Sequence, residues 1–139
     1  MLGFGAAIAP YSNKANHCFA LNGNIFDPEV DGIDGVVEVY KNVINKVNLY
    51  GPTNFASFLE LLNEMTEDMD VTQANQKYNI LLIITDGIIS DMQKTVDQIV
   101  YGSDLALSII IVGVGGADFS NMDDLDADEV PLYSTRYKK

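Results

Sequence analysis

The chain has 139 residues, 47% of them apolar, enough for one domain with its own core. Its formal net charge of −12 excludes a nucleic-acid surface, which needs Lys and Arg gathered on one face, and excludes unaided docking on anionic lipid. The longest apolar runs, residues 80–84 and 105–114, fall short of the roughly 20 residues that span a bilayer.

Residues 1–7 read as a strand entering a Gly-containing turn that Pro10 ends. The first nine residues are broken by Gly3 and Gly5 and lack the basic lead of a secretion signal. Residues 17–21 read as a second short strand. Cys18, the single cysteine, leaves no internal disulfide and suits a cytosolic location. Neighbouring strand residues point to opposite faces, so Cys18 reads as a small buried side chain and His17 as a surface one. Residues 22–34 are loop, rich in Asn, Asp, Gly and Pro.

Over residues 35–47, Val36, Val39, Tyr40, Val43 and Val47 recur at helical spacing. After a turn on Gly51-Pro52, residues 55–65 are helical again, with Phe55, Phe58, Leu59, Leu62 and Met65 on one face. A polar connection over 66–77 leads to the run from Tyr78 to Ile84. Its unbroken apolarity predicts a parallel strand buried on both faces. Residues 90–101 are helical, with Ser90 as the N-cap and Met92, Val96, Ile99 and Val100 inward. Residues 107–114 form a second buried strand, closed by Gly115-Gly116, and an acidic tail follows from Asp118. Helices alternating with buried strands give an α/β fold with a mostly parallel sheet, in which ligands bind beyond the carboxyl ends of the strands.

Most candidate chemistry fails on spacing. Residues 113–118 follow a strand but place Asp118 where a dinucleotide loop needs its third glycine. Asp124, Asp126 and Asp128 have the first spacings of an EF-hand loop, but Glu129 stands at the glycine position and Thr135 at the bidentate glutamate. One histidine supports no convincing catalytic triad. What remains is Thr53, just before a helix, and Asp86, at the end of a strand. Both offer hard oxygen ligands for Mg²⁺, Mn²⁺ or Ca²⁺. Thr53 suits a helix N-cap equally well, and Asp86 a turn cap.

Three blocks carry a resemblance: Leu49-Tyr50-Gly51-Pro52-Thr53-Asn54, Ile84-Thr85-Asp86-Gly87-Ile88-Ile89-Ser90-Asp91-Met92, and Leu107-Ser108-Ile109-Ile110-Ile111-Val112-Gly113-Val114-Gly115. With Leu2-Gly3-Phe4-Gly5-Ala6, Phe19-Ala20-Leu21-Asn22 and Gly35-Val36-Val37-Glu38-Val39-Tyr40, they resemble, in order, the von Willebrand A-like domain of copines. The A domain of RING-type ubiquitin ligases is a looser match.

The copine resemblance implies a Rossmann-like sheet flanked by helices, with residues 1–139 forming part of the domain. The family's first, central strand, with its Asp-x-Thr/Ser-x-Ser/Asn motif, is expected to lie before residue 1. Asp70-Val71-Thr72-Gln73-Ala74-Asn75 imitates that motif but follows no apolar strand.

The resemblance further implies a protein-binding module, not an enzyme, in a cytoplasmic family recruited to membranes by calcium through C2 domains absent from this segment. Its metal-ion-dependent adhesion site would use Thr53 and Asp86 to hold Mg²⁺, Mn²⁺ or Ca²⁺, weakly with so few ligands. The expected partners are intracellular proteins, with self-association through exposed strand edges. A metal-independent interaction fragment is the alternative.

Overall fold

The computed structural model describes residues 1–8, 14–128 and 130–139; Pro10 and Glu129 lie outside them. The chain divides into two compact units, Met1–Asn54 and Phe55–Lys139. The α/β class expected from the sequence holds, with parallel pairing, among the described residues, confined to the second unit.

The first unit contains β1 (Leu2–Gly3), β2 (Ala6–Ile8), β3 (Phe19–Ala20), α1 (Gly32–Ile44) and β4 (Val47–Leu49). The single strand expected over residues 1–7 is two strands, because Gly5 turns the backbone at φ +68°, a conformation that glycine adopts without steric penalty. β1 then pairs antiparallel with β3, and β2 with β4. Ala6, Ala7, Phe19 and Ala20 form the unit's core. Helix α1 starts and stops three residues earlier than its apolar spacing suggests. It ends at a cap on Asn45, so Val47 joins β4 opposite Ile8. His17 and Cys18 are both half-buried, where the sequence suggested a surface histidine and a buried cysteine, and partial burial pushes the Cys18 thiol up from its usual range.

The second unit contains α2 (Ala56–Glu67), β5 (Asn79–Thr85), α3 (Met92–Gly102), β6 (Leu107–Gly113) and the short α4 (Ser120–Asp123). β5 and β6 pair in parallel from Asn79↔Leu107 to Thr85↔Gly113. Successive side chains alternate between faces. Ile83 and Thr85 are buried, 3% and 4% exposed, whereas Ile80, Leu82 and Ile84 are 67%, 56% and 60% exposed. The double-sided burial expected of this run is therefore single-sided. Helix α3 lies on the face of Leu107, Ile109 and Ile111, where Ile99 and Gly102 share a cleft of about 490 Å³ with them. On the opposite face Ile110, Val112 and Val114 stay exposed beside the even-numbered residues of β5.

Helices α2 and α3 are joined by a buried polar contact. The Asn63 side-chain amide donates to the Gln98 carbonyl at 2.9 Å and to Gln98 Oε1 at 3.0 Å, with both residues almost fully buried. Gly102 permits the approach, since a Cβ there would meet Asn63 Oδ1 at 2.6 Å. Phe55, Phe58 and Leu59 fill the apolar space alongside, with the two rings 5.2 Å apart. At the sheet's start, Asn79 Nδ2 donates to Thr66 Oγ1 at 2.7 Å, tying β5 to the last turn of α2.

The C-terminal segment returns to the same helices. The fully buried Ser134 hydroxyl donates to Asp97 Oδ1 at 2.7 Å, and the Arg136 amide to the same oxygen at 3.3 Å. The Tyr137 and Tyr101 rings lie 5.1 Å apart, tilted by 39°, while the Tyr101 hydroxyl donates to Glu67 at 2.6 Å. The hydrogen bond from Ser134, outweighing the effect of burial, holds the Asp97 carboxyl below its ordinary range.

A carboxyl depressed in the folded state stabilises the fold above its unfolded pKa, and that contribution is lost as pH falls through the folded value. Stability should therefore decline from about pH 4 downward, with Asp97 contributing. Asp97→Ala, which leaves Ser134 without its acceptor, should cost about 1–3 kcal/mol at pH 7 and flatten the acid limb. Denaturant melts at pH 7 and pH 3 measure both effects; an unchanged acid limb in the variant would remove Asp97 from the account.

Candidate functional site at the carboxyl end of the parallel strands

Asp86 follows the last residue of β5 directly and is exposed. The ladder continues one step past the strand, with the Val114 amide donating to the Thr85 carbonyl at 2.8 Å. Thr85 is buried, and the Gly87 amide makes a long 3.4 Å contact to its hydroxyl. Beside this end, β6 runs out into the glycine turn at residues 113–116, where Gly115 has φ +89°. A Cβ at Gly113 would lie 3.0–3.1 Å from the Phe119 ring, so glycine there lets Phe119 lie against the strand end.

The loop from Asp86 to α3 is held at its far side. Ile89 is 4% exposed and anchors it in the core. Asp91 occupies the N-cap position of α3, displacing Ser90 from the role expected of it, yet its carboxylate makes no cap bond there. Its two oxygens instead accept from the first amides of α2: Phe55 N at 2.9 Å on Oδ1 and Ala56 N at 3.0 Å on Oδ2. The Thr95 hydroxyl also donates to Oδ1 at 3.2 Å. The first amides of a helix have no partner within it and carry a partial positive charge, so a carboxylate satisfies both needs.

Thr53 is half-buried and precedes α2, whose N-cap is Phe55; Thr53 itself is not the cap. It closes the first unit, whereas Asp86 belongs to the second. Both donors have the chemistry of a hard-cation ligand, but two oxygens are far fewer than the six or more that such an ion takes. Among the described residues, no three His, Cys, Asp or Glu side chains gather in a way that could hold a metal ion. Asp124, Asp126 and Asp128 are all exposed, in keeping with a solvated acidic loop. Asp70–Asn75 closes on itself through Thr72 and Asn75. Asp118 is held below the ordinary carboxyl range by hydrogen bonding from the Ser120 amide, and serves that local turn.

The copine family model matches residues 1–138. The chain belongs to the copine family. It is 48% identical over 127 residues to Protein BONZAI 1 of Arabidopsis thaliana, covering 91% of this chain and 22% of that protein. To Protein BONZAI 2 of the same plant it is 46% identical over 127 residues, 91% of this chain and 21% of that one. This copine segment thus spans about a fifth of the length of these relatives. No described helix is long and apolar enough to cross a membrane.

Asp86 and Asp91 should separate cleanly by substitution. Asp86→Ala, at an exposed position, should change stability by no more than about 0.5 kcal/mol. Asp91→Ala, which strips two amides of their acceptor, should cost about 0.5–2 kcal/mol. Chemical denaturation of both variants tests this, and equal costs would contradict the assigned roles.

Proposed function

We propose that this copine segment, part of a single A-type domain, is a protein-binding module and not a catalyst, with its contact point at the Asp86 end of β5. The observation that supports this reading is Asp86 itself. It is an exposed carboxylate directly beyond a parallel strand, on a loop anchored by Ile89 and Asp91, in a chain of copine sequence. Asp86 and Thr53 would hold Mg²⁺, or Mn²⁺ or Ca²⁺, and a carboxylate of the partner would complete the ion's shell. Asp86 brings a full charge and Thr53 a neutral hydroxyl, so Asp86 contributes more. The partners in this reading are intracellular proteins. Calcium-dependent recruitment to phospholipid belongs to C2 domains outside this segment.

Titration calorimetry tests the reading. Mg²⁺ should bind weakly, at about millimolar affinity, as at sites with few ligands. Asp86→Ala should abolish the heat and Thr53→Ala should reduce the affinity less. Micromolar binding, or binding indifferent to Asp86→Ala, would overturn the two-ligand assignment.

A second, metal-independent reading has its own support. Tyr78, Ile80, Leu82, Ile84, Ile110, Val112 and Val114 form an exposed face without a charged residue. Continuous apolar patches of more than a few hundred Å² mark interaction surfaces, and the occupant in this reading is a second copy of the chain. Sedimentation equilibrium should then show concentration-dependent association that Leu82→Glu weakens. A wild-type monomer across that concentration range would end this reading.

A further inference from the structure

We propose that the α2–α3 surface around Asp97 is a docking site for basic peptide segments, and that residues 134–139 fill it as an internal ligand. The seated segment displays the chemistry that the surface accepts. Three of the chain's eight basic residues, Arg136, Lys138 and Lys139, fall within it, against 20 acidic residues overall. Arg136 pairs with Glu60 of α2 at 3.7 Å, and Lys139 pairs with Asp104, just past the end of α3. Asp97 Oδ1 is the centre of the contact. Three donors converge on it: the Ser134 hydroxyl at 2.7 Å, the Arg136 amide at 3.3 Å and the Gln93 side chain at 3.4 Å. A carboxylate withdrawn from water needs such donors, and two of the three come from the segment.

The segment is built to leave and return as a unit. Its turn is closed by its own bonds: the Ser134 amide donates to the Lys139 carbonyl, the Lys138 amide to the Ser134 carbonyl and the Tyr137 amide to Ser134 Oγ, each at 2.9 Å. Its two ion pairs are exposed, and exposed pairs hold weakly and are screened by salt. Val130 and Tyr133, which lead into it, are exposed as well. A cavity of about 400 Å³ remains beside it, lined by Ala56, Glu60, Lys94, Asp97, Gln98 and Arg136, so the seat admits a segment bulkier than its present occupant. The ligand class follows. It is a partner segment with a Ser or Thr hydroxyl for Asp97, an Arg two residues later for Glu60 and a Lys five residues later for Asp104. An internal ligand faces its seat at an effective concentration in the millimolar range, so a segment in trans binds only the fraction of chains whose seat is open. The site lies wholly within the second unit and uses neither Asp86 nor the exposed face of β5 and β6, so it stands apart from both readings above.

The test uses the whole 139-residue chain and a synthetic, fluorescein-labelled peptide with the sequence of residues 132–139. Anisotropy should show weak binding to wild type. Ser134→Ala in the chain deprives only the internal ligand of its hydroxyl, and should tighten peptide binding about tenfold or more. A peptide with alanine in place of its serine should lose that gain. A scrambled peptide of the same composition should bind neither chain, which separates the seat from general attraction of a basic peptide to an acidic protein.

A second measurement needs no variant and carries the comparison if Ser134→Ala does not fold. Unlabelled peptide at about millimolar concentration should displace the internal segment of wild type, and the chain's own Tyr137 and Lys138 amide resonances should shift as it leaves. Equal binding of the scrambled peptide overturns the docking site. So does a folded Ser134→Ala chain that binds the peptide no better than wild type, and so do Tyr137 and Lys138 resonances that stay in place.

Discussion

Parallel strands cannot be joined by a tight turn, and pairing β5 with β6 obliges the chain to leave the sheet, cross over and return. Helix α3 is that crossover, and its position determines much of what the second unit can do. It must lie against one face of the pair, so only one side of each strand gains cover from it. It must start near the carboxyl end of β5, so the residues between strand and helix become a loop at the end where such sheets bind ligands. Asp86 is the first residue of that loop. The exposed face and the candidate site therefore have a common origin in the crossover.

The helices are secured by polar contacts as much as by apolar filling. Asn63 with Gln98, Asp97 with Ser134, and Asp91 with the first amides of α2 each bury polar atoms, and each has its partner. Leaving a buried donor or acceptor unmade costs more than a made bond contributes. The Asn63 and Asp91 contacts therefore specify one arrangement of α2 against α3, and the Asp97 contact one seat for the C-terminal segment on α3. Two of these three contacts use aspartates of the α3 region: Asp97, buried on the helix, and Asp91, half-buried at its N-cap.

The elements of the second unit were legible because its apolar spacing is strong: α2, β5, α3 and β6 all lie within about three residues of where periodicity puts them. The first unit was less so. Val47 continues the helical spacing of Val36, Val39 and Val43, and nothing local says that Asn45 ends the helix and hands Val47 to a strand. The exposure of Ile80, Leu82 and Ile84 was hidden for another reason. Continuous apolarity does not by itself say whether a strand is covered on one face or on both. Asp86 could be found from its place after an apolar strand. Asp91 could not be assigned its partner, because Ser90-Asp91 before a helix signals a local cap, whereas its amides lie 35 and 36 residues earlier in the chain.

The uncharged face of β5 and β6 belongs to a chain with a net charge of −12. Two such chains repel each other at a distance, and the repulsion shortens as salt shrinks the Debye length from about 30 Å at 0.01 M to about 8 Å at 0.15 M. Contact through the apolar plate has no ion pairs for salt to weaken. Where two copies meet through this plate, as the second reading proposes, rising ionic strength lowers the barrier and leaves the attraction.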